Sequence, residues 1–228
     1  KYMEILFNKG TKKIVGSQIH TYLLEKTRVI SQAKDERNYH IFYMLLAGAS
    51  KEVKKDFRIT SDTTVWKYLC MSGCDRISGR KEKEEYAQLI TSFENLGFDG
   101  PHIKQVLQVL SGILHLGNLE FEETTGSDGE GSKIKDSKQV ELIAHLLELK
   151  DTAKLEECLC FQELVVGKDR TLKKLKVSQA SDQRDAMAKF IYGALYESLV
   201  DQINTSLAQA QGKDGKASST PDRSELGS

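Results

Sequence analysis

The sequence predicts a mainly α-helical fold with a few short β-strands, an α+β class. Two observations predict it. In several stretches apolar residues recur at positions i, i+3, i+4 and i+7, which is the spacing of one face of an amphipathic helix. In others, β-branched and aromatic residues flank turn signals, which is typical of antiparallel strands. Hydrophobic residues make up 39% of the 228 residues and charged residues 29%, as in an ordinary globular domain.

The first part of the chain predicts two strands and a helix. Apolar residues alternate over residues 1–8, and Asn8-Lys9-Gly10 is a turn signal, so residues 14–24 are expected to return antiparallel. A helix is expected to begin near Asp35 as its N-cap and to end with Gly48 in the left-handed conformation. Its predicted buried face consists of Tyr39, Phe42, Tyr43 and Leu46.

Two amphipathic helices are predicted in the middle of the chain. One covers residues 81–95 with Gly97 after it, and the next begins at Gly100-Pro101, where proline suits the first helical turn. His115 ends the second helix, where a hydrogen bond at the helix end is favoured over a metal ligand or a catalytic base. Trp66, the chain's single tryptophan, is expected to be a core residue rather than a ligand platform.

The third part predicts a loop, a helix and a hairpin. Residues 124–135 have the composition of a flexible surface loop. Asp136 and Gln139 suggest a capping box that opens the next helix. Residues 161–177 predict two short strands around a turn at residues 167–169, and a solvated hairpin is the simplest interpretation.

A long helix is predicted from about Ser178, its candidate N-cap. Its apolar stripe is too short for a coiled coil and favours a core-facing helix. The stripe consists of Met187, Ile191, Leu195, Leu199 and Ile203. Residues 208–228 are rich in glycine and serine and predict a flexible loop or tail, which leaves residues 1–207 as the folded domain.

Composition excludes several classes of function. The formal net charge is zero, whereas binding to nucleic acid or to a membrane surface needs a basic excess, so neither is expected. No apolar run is long enough to span a bilayer. Four cysteines are too few for a disulfide scaffold, and their spacing does not favour zinc, which indicates a reducing, cytoplasmic location. No GxxxxGK[ST], GxSxG or HExxH motif occurs, so the residues predict no active site.

Three motifs in order resemble the motor domain of myosin heavy chains, a head of the P-loop NTPase type. The first is YLLEKTRVI with ERNYHIFY, at residues 22–30 and 36–43. The second is HLGNLEF at residues 115–121, and the third is RDAMAK at residues 184–189. The resemblance covers residues 1–207. It implies the upper 50 kDa subdomain, the segment between switch I and switch II, which forms one wall of the actin-binding cleft.

The resemblance implies that the complete motor binds MgATP and that this chain alone binds none. The phosphate loop, switch I and switch II would lie outside these residues, so no catalytic residue and no metal ligand is carried over. Leu23 and Glu25 match family positions that back the switch region, where they would serve packing and communication.

The resemblance also implies contacts with filamentous actin. The hairpin at residues 163–176 aligns with the family's cardiomyopathy loop, where an acidic or phosphorylatable position is expected sixteen residues before Asp185, which is Asp169 (185 − 16 = 169). Residues 124–135 match loop 4, a secondary actin contact. Because the surface of actin is acidic, lysines are expected to steer association. The candidates are Lys133, Lys135, Lys173, Lys174 and Lys176.

The expected partners are therefore F-actin, the rest of the motor domain and, through a lever arm outside this chain, light chains or calmodulin. The expected location is the cytoplasmic actin cytoskeleton. Two alternatives stay open at the level of sequence. One is a non-catalytic helical protein-interaction domain, and the other is a pseudo-motor that binds actin without hydrolysing ATP.

Overall fold

The computed structural model describes the backbone of residues 2–126, 129–166 and 169–213, and the side chains of residues 2–125, 130–165 and 170–208. Within these residues, eight α-helices alternate with three separate two-stranded antiparallel hairpins. The mainly helical class with a few short strands is thereby confirmed.

The hairpins pair β1 (Tyr2–Phe7) with β2 (Ile14–His20), β3 (Phe121–Gly126) with β4 (Gly129–Ile134), and β5 (Phe161–Val166) with β6 (Asp169–Lys174). The helices are α1 (His40–Gly48), α2 (Lys51–Asp56), α3 (Lys67–Cys70), α4 (Glu82–Asn95), α5 (Gly100–Gly117), α6 (Ser137–Leu146), α7 (Thr152–Cys160) and α8 (Val177–Lys213).

Two hydrophobic clusters hold these elements together. The larger lies among α1, α3, α4, α5 and α8, and its fully buried members include Phe42, Leu69 and Ile113. The smaller joins the end of α5 to α6 and α7, with Leu119 and Leu159 at its centre. Because the β3–β4 and β5–β6 hairpins adjoin α7, the smaller cluster supports both of them.

Helix α1 begins four residues later than the sequence predicts. Asp35 is not its N-cap: it adopts a left-handed backbone with φ of 67°, and Tyr39 precedes the first helical residue. The buried amide of Asn38 keeps this segment out of the helix, because its nitrogen donates to the carbonyls of Val29 and Tyr68 at 2.8 and 2.9 Å. The predicted inward face is confirmed for Phe42, Tyr43 and Leu46, which are buried, whereas Tyr39 precedes the helix and is half-buried.

Gly48 is a glycine for a different reason from the predicted left-handed C-cap. It is the last residue of α1, and Ala49 follows with a negative φ of −59°. A Cβ atom at Gly48 would lie 2.4 Å from the Cβ and Cγ atoms of Tyr86, so the residue allows α1 and α4 to approach closely. Gly97, by contrast, does take the left-handed conformation that follows α4, with φ of 81°.

The core role predicted for Trp66 and the hydrogen-bonding role predicted for His115 are confirmed, although α5 continues past His115 to Gly117. The two rings meet edge to face with centroids 5.0 Å apart, and Trp66 is 3% exposed. The Nε2 atom of His115 lies 2.9 Å from the carbonyl oxygen of Phe57 and ties α5 to the end of α2. Burial lowers the pKa of His115, and Arg58 lowers it further, although the bond to Phe57 opposes this.

Residues 124–135 do not form the predicted flexible loop, since they contribute to the β3 and β4 strands, which pair from Phe121 opposite Ile134 to Gly126 opposite Gly129. Glycine and serine in this stretch interrupt the alternation of apolar and polar residues by which strands are recognised in a sequence. The capping box is half present: Asp136 accepts from the Lys138 N–H at 3.0 Å, but the side chain of Gln139 turns to the His115 carbonyl.

Helix α8 begins at Val177 rather than after Ser178, and the Gln179 side chain reaches back to the Lys176 N–H at 3.0 Å. Its stripe packs on the core as predicted, with Met187 on the smaller cluster, Ile203 on the larger and Ile191 on both. The helix runs through the expected domain boundary at 207 to Lys213, and the predicted tail beyond it lies outside the described residues. None of the helices searched in the described part of the chain has the length and hydropathy to cross a membrane.

Replacing Gly48 with alanine should destabilise the chain by about 1–3 kcal/mol, because the methyl group overlaps the Tyr86 ring and packed cores resist overpacking. Urea unfolding followed by Trp66 fluorescence measures the change. Gly100→Ala is the matched control, since a Cβ there meets nothing within 4 Å. Equal stability of the two variants would contradict the close α1–α4 contact.

Lowering the pH below about 6.5 should reduce the free energy of unfolding through His115. Between its lowered pKa and 6.5 the folded state binds fewer protons than the unfolded chain, so stability is lost as the pH falls through that window. Urea unfolding of the native protein and of His115→Gln at pH 7.5 and 5.5 measures this contribution, as the difference between the two proteins in the pH dependence of the free energy of unfolding. His102→Gln, at an exposed histidine, is the control, and an equal pH effect in both variants would contradict the assignment.

Candidate functional site

The β3–β4 and β5–β6 hairpins, which carry the predicted actin-facing residues, lie side by side and form one surface. The buried Ser132 hydroxyl of β4 donates to the Leu175 carbonyl at 2.8 Å, just after β6. Gly131 permits this contact, since a Cβ there would lie 2.9 Å from the Cβ of Lys174. We call the two hairpins, with the flanking residues Glu120, Lys135, Leu175 and Lys176, the hairpin surface.

The two halves of the hairpin surface differ in charge. Around β3–β4, the described side chains include four carboxylates and two lysines, namely Glu120, Glu122, Glu123, Glu130, Lys133 and Lys135. Around β5–β6, they include one carboxylate and four cations, namely Glu163, Arg170, Lys173, Lys174 and Lys176. The basic half is therefore the one that fits an acidic partner.

Lys133, Lys135 and Lys176 each have a carboxylate partner among the described side chains. Lys133 pairs with Glu122 at 2.9 Å, directly opposite in the β-ladder, and Lys135 pairs with Glu120 at 3.0 Å. Glu120 raises the pKa of Lys135. Such exposed pairs contribute little stability, but each lowers the charge that a partner would meet.

The third pair joins the two hairpins. Lys176 reaches Glu130 at 2.9 Å, and this contact raises the pKa of Lys176. Lys173 stands opposite Gln162 in the ladder and has no ion-pair partner among the described side chains. Arg170, which the sequence did not single out, pairs with Glu163 at 3.1 Å in the same hairpin. The backbone of Asp169 begins β6, while its side chain lies outside the described part.

Leu23 and Glu25 follow β2, in the segment that leads towards α1. Leu23 is fully exposed, and its packing against the switch region stays a prediction. Glu25 accepts from Arg28 Nε at 2.7 Å, and its carbonyl accepts from the Tyr39 hydroxyl at 2.9 Å. Arg28 also donates to the Arg37 carbonyl at 3.0 Å, which fixes the segment to the approach of α1.

Sequence reasoning missed a buried polar network that connects the three motifs. The Tyr68 hydroxyl donates to Asp185 at 2.6 Å, and Arg184 pairs with the same carboxylate at 2.7 Å. Arg184 also donates to the Leu119 carbonyl at 2.9 Å, while Asn38 donates to the Tyr68 carbonyl. Burial, followed by the bond to Asp185, raises the pKa of Tyr68. The sequence did offer one signal for this network, which is the charged pair Arg184 and Asp185 in a helix with an apolar stripe.

Comparison with known proteins identifies the class. The family model described as "Myosin head (motor domain)" matches residues 1–218. The chain therefore belongs to the myosin head motor domain family, and the resemblance carried by its three motifs is confirmed.

The relatives found are myosins from distant organisms. The chain is 37% identical over 218 residues to mouse "Unconventional myosin-Ia", covering 95% of this chain and 20% of that protein. It is 39% identical over 214 residues to "Myosin-I heavy chain" of Dictyostelium discoideum, covering 92% of this chain and 9% of that protein. It is 34% identical over 214 residues to "Myosin-52" of Schizosaccharomyces pombe, covering 93% of this chain and 14% of that protein. The chain thus spans between 9% and 20% of the length of such relatives.

Replacing Tyr68 with phenylalanine should destabilise the chain by about 1–2 kcal/mol, because one hydrogen bond to a carboxylate is lost while the ring stays. Tyr192→Phe is the control, since it removes a hydroxyl from another buried tyrosine ring, 9% exposed against 2% for Tyr68, that shows no bond to a carboxylate among the described residues. Urea unfolding of both variants measures the difference. A Tyr68→Phe variant as stable as its control would show that the network is not structural.

Proposed function

We propose that this chain is the upper wall of the actin-binding cleft in an actin-based, ATP-driven motor. Family membership supports a motor, and the basic half of the hairpin surface supports a contact with an acidic filament. In this proposal Lys173, Lys174 and Lys176 of the β5–β6 hairpin face actin, with Asp169 at the start of β6. Lys133 and Lys135 play a lesser part because they lie on the acidic half of the hairpin surface, where Glu122 and Glu120 engage them. Lys176 is also engaged, by Glu130, but it lies on the basic half.

The observation that carries a relay role is the length and attachment of α8. Its first turn adjoins the hairpin surface through Lys176, and near its other end Asn204 exchanges two hydrogen bonds with the backbone of Ile19 in β2, at 2.8 and 2.9 Å. The 28 residues from Val177 to Asn204 (204 − 177 + 1) span about 42 Å of helix. One rigid element therefore joins the proposed actin contacts to the segment that carries Leu23 and Glu25.

A second tie between α8 and that segment lies beside Leu23. Lys26 crosses α8 at Gly193, where a Cβ would come within 2.6 Å of its Cε atom, and it reaches Glu197 at 3.8 Å. Movement of α8 would thus displace the segment after β2 directly. In this proposal Leu23, fully exposed here, packs against other parts of the motor that carry the nucleotide switches.

The MgATP of the complete motor would be held by groups outside this chain. No phosphate loop occurs in the sequence. Among the described residues, no three acidic, histidine or cysteine side chains come together as metal ligands. The residues present do not fit the nucleotide, and no catalytic step is assigned to them. Light chains or calmodulin would bind a lever arm, likewise beyond these residues.

Reversing the charge of Lys173, Lys174 and Lys176 to glutamate in the complete motor should weaken actin binding by roughly tenfold at low salt, because the basic half becomes repulsive to an acidic filament. The salt dependence of binding should fall as well. Co-sedimentation with F-actin, with and without MgATP, measures both. ATP hydrolysis without actin reports separately on the nucleotide site.

Lys150→Glu, at an exposed lysine after α6, is the control for charge alone. Equal actin affinity of the triple variant and this control would contradict the assignment of the hairpin. Pelleting of the native motor that ATP does not release would indicate a pseudo-motor. Absence of pelleting at low salt would contradict an actin-binding function.

A further inference from the structure

A cavity of about 180 Å³ lies between α8 and the group formed by α1, α4 and α5. Its walls include Ile41 of α1, Leu89 of α4, Val106 and Leu110 of α5, and Leu195 of α8. Val106 and Leu110 are buried, whereas Ile41, Leu89 and Leu195 are half-buried, so the cavity has an apolar floor and opens at its rim.

The walls of the cavity are mainly apolar. A buried water needs two to four polar partners, whereas the lining side chains are aliphatic or aromatic and only Tyr192 and Tyr196 carry a polar group, their hydroxyl. An engineered apolar cavity of ~150 Å³ in another protein stays dry and binds benzene or xenon. A cavity of 180 Å³ therefore has room for one six-membered ring and little more.

One wall is aromatic and held in place. The ring of Tyr192 stacks on Tyr39 with centroids 4.7 Å apart, and it tilts against Phe42 at 5.8 Å. Burial raises the pKa of Tyr192, so its hydroxyl is neutral and presents no charge to an occupant. A fixed aromatic wall favours an aromatic occupant, because offset and edge-to-face ring contacts add to burial.

We propose that this cavity is a binding site for one compact, uncharged aromatic molecule of single-ring size. The occupant touches α8 on one side and α1, α4 and α5 on the other. No residue of the hairpin surface lines the site, and it adjoins the segment that carries Leu23 only through Tyr196 of α8, which lines both.

Fluorobenzene is the probe, titrated into the full polypeptide that carries this chain and followed by ¹⁹F NMR. We expect saturable broadening of its resonance in the native protein. Leu89→Phe and Leu195→Phe fill the cavity from opposite walls, and each should weaken binding by about tenfold or more. Both positions are half-buried, so a larger side chain can be accommodated at the rim. Leu149→Phe, at an exposed leucine, is the matched control and should bind as the native protein does.

Two results would overturn the site. The first is broadening that does not saturate in the native protein. The second is saturable binding that neither filling variant weakens while both remain folded by circular dichroism, since the occupant would then lie elsewhere. Leu199→Ala enlarges the same cavity without adding bulk, and it should retain fluorobenzene binding. Loss of binding in this variant together with a native fold would count equally against the assignment.

Discussion

The rest of the structure depends on one ion pair near the start of α8, between the buried Arg184 and the half-buried Asp185. Both charges find further partners: the guanidinium donates to the Leu119 carbonyl, and the carboxylate accepts from Tyr68. Removing Asp185 would leave the buried guanidinium of Arg184 without its charge partner, which costs more than the pair itself contributes. Since Leu119 follows α5 and Tyr68 belongs to α3, this pair fixes where α8 crosses both clusters. Asn38 extends the arrangement to the approach of α1 through the Tyr68 carbonyl.

This arrangement explains why three separated motifs identified the family. Residues 36–43, 115–121 and 184–189 are far apart in sequence, yet Asn38, Leu119 and Arg184 meet around Tyr68. Periodicity predicted the helices and their buried faces because burial imposes the helical repeat on apolar residues. It did not predict the start of α1, since Asn38 satisfies two distant carbonyls that no local pattern reveals. Nor could it explain Gly48, whose reason is the Tyr86 ring of another helix.

At the hairpin surface, too, local features could be predicted from the sequence, whereas contacts between distant residues could not. The lysines of residues 161–177 could be identified from sequence, because charge and turn signals are local. Their partners could not, because Glu130 lies 46 residues from Lys176 and meets it only after two hairpins dock through Ser132 and Leu175. Residues 124–135 were mistaken for a loop because glycine and serine carry little strand propensity. The β3–β4 hairpin is held in place by its contacts with the end of the β5–β6 hairpin rather than by intrinsic strand propensity.

Transmission through α8 requires an element that has two discrete positions, not merely one that is long. A helix packed at full density along its length resists such a shift, since every side chain must leave its contacts at once. The cavity at Leu195 lies between two attachment points, Lys176 just before α8 and Asn204 within it, and there the lining side chains lack contacts on one side. Close by, Lys26 packs tightly across Gly193, so tight and loose packing alternate along one helix. In the proposed relay, this combination would let α8 shift at Leu195 while Lys176 and Asn204 keep their contacts.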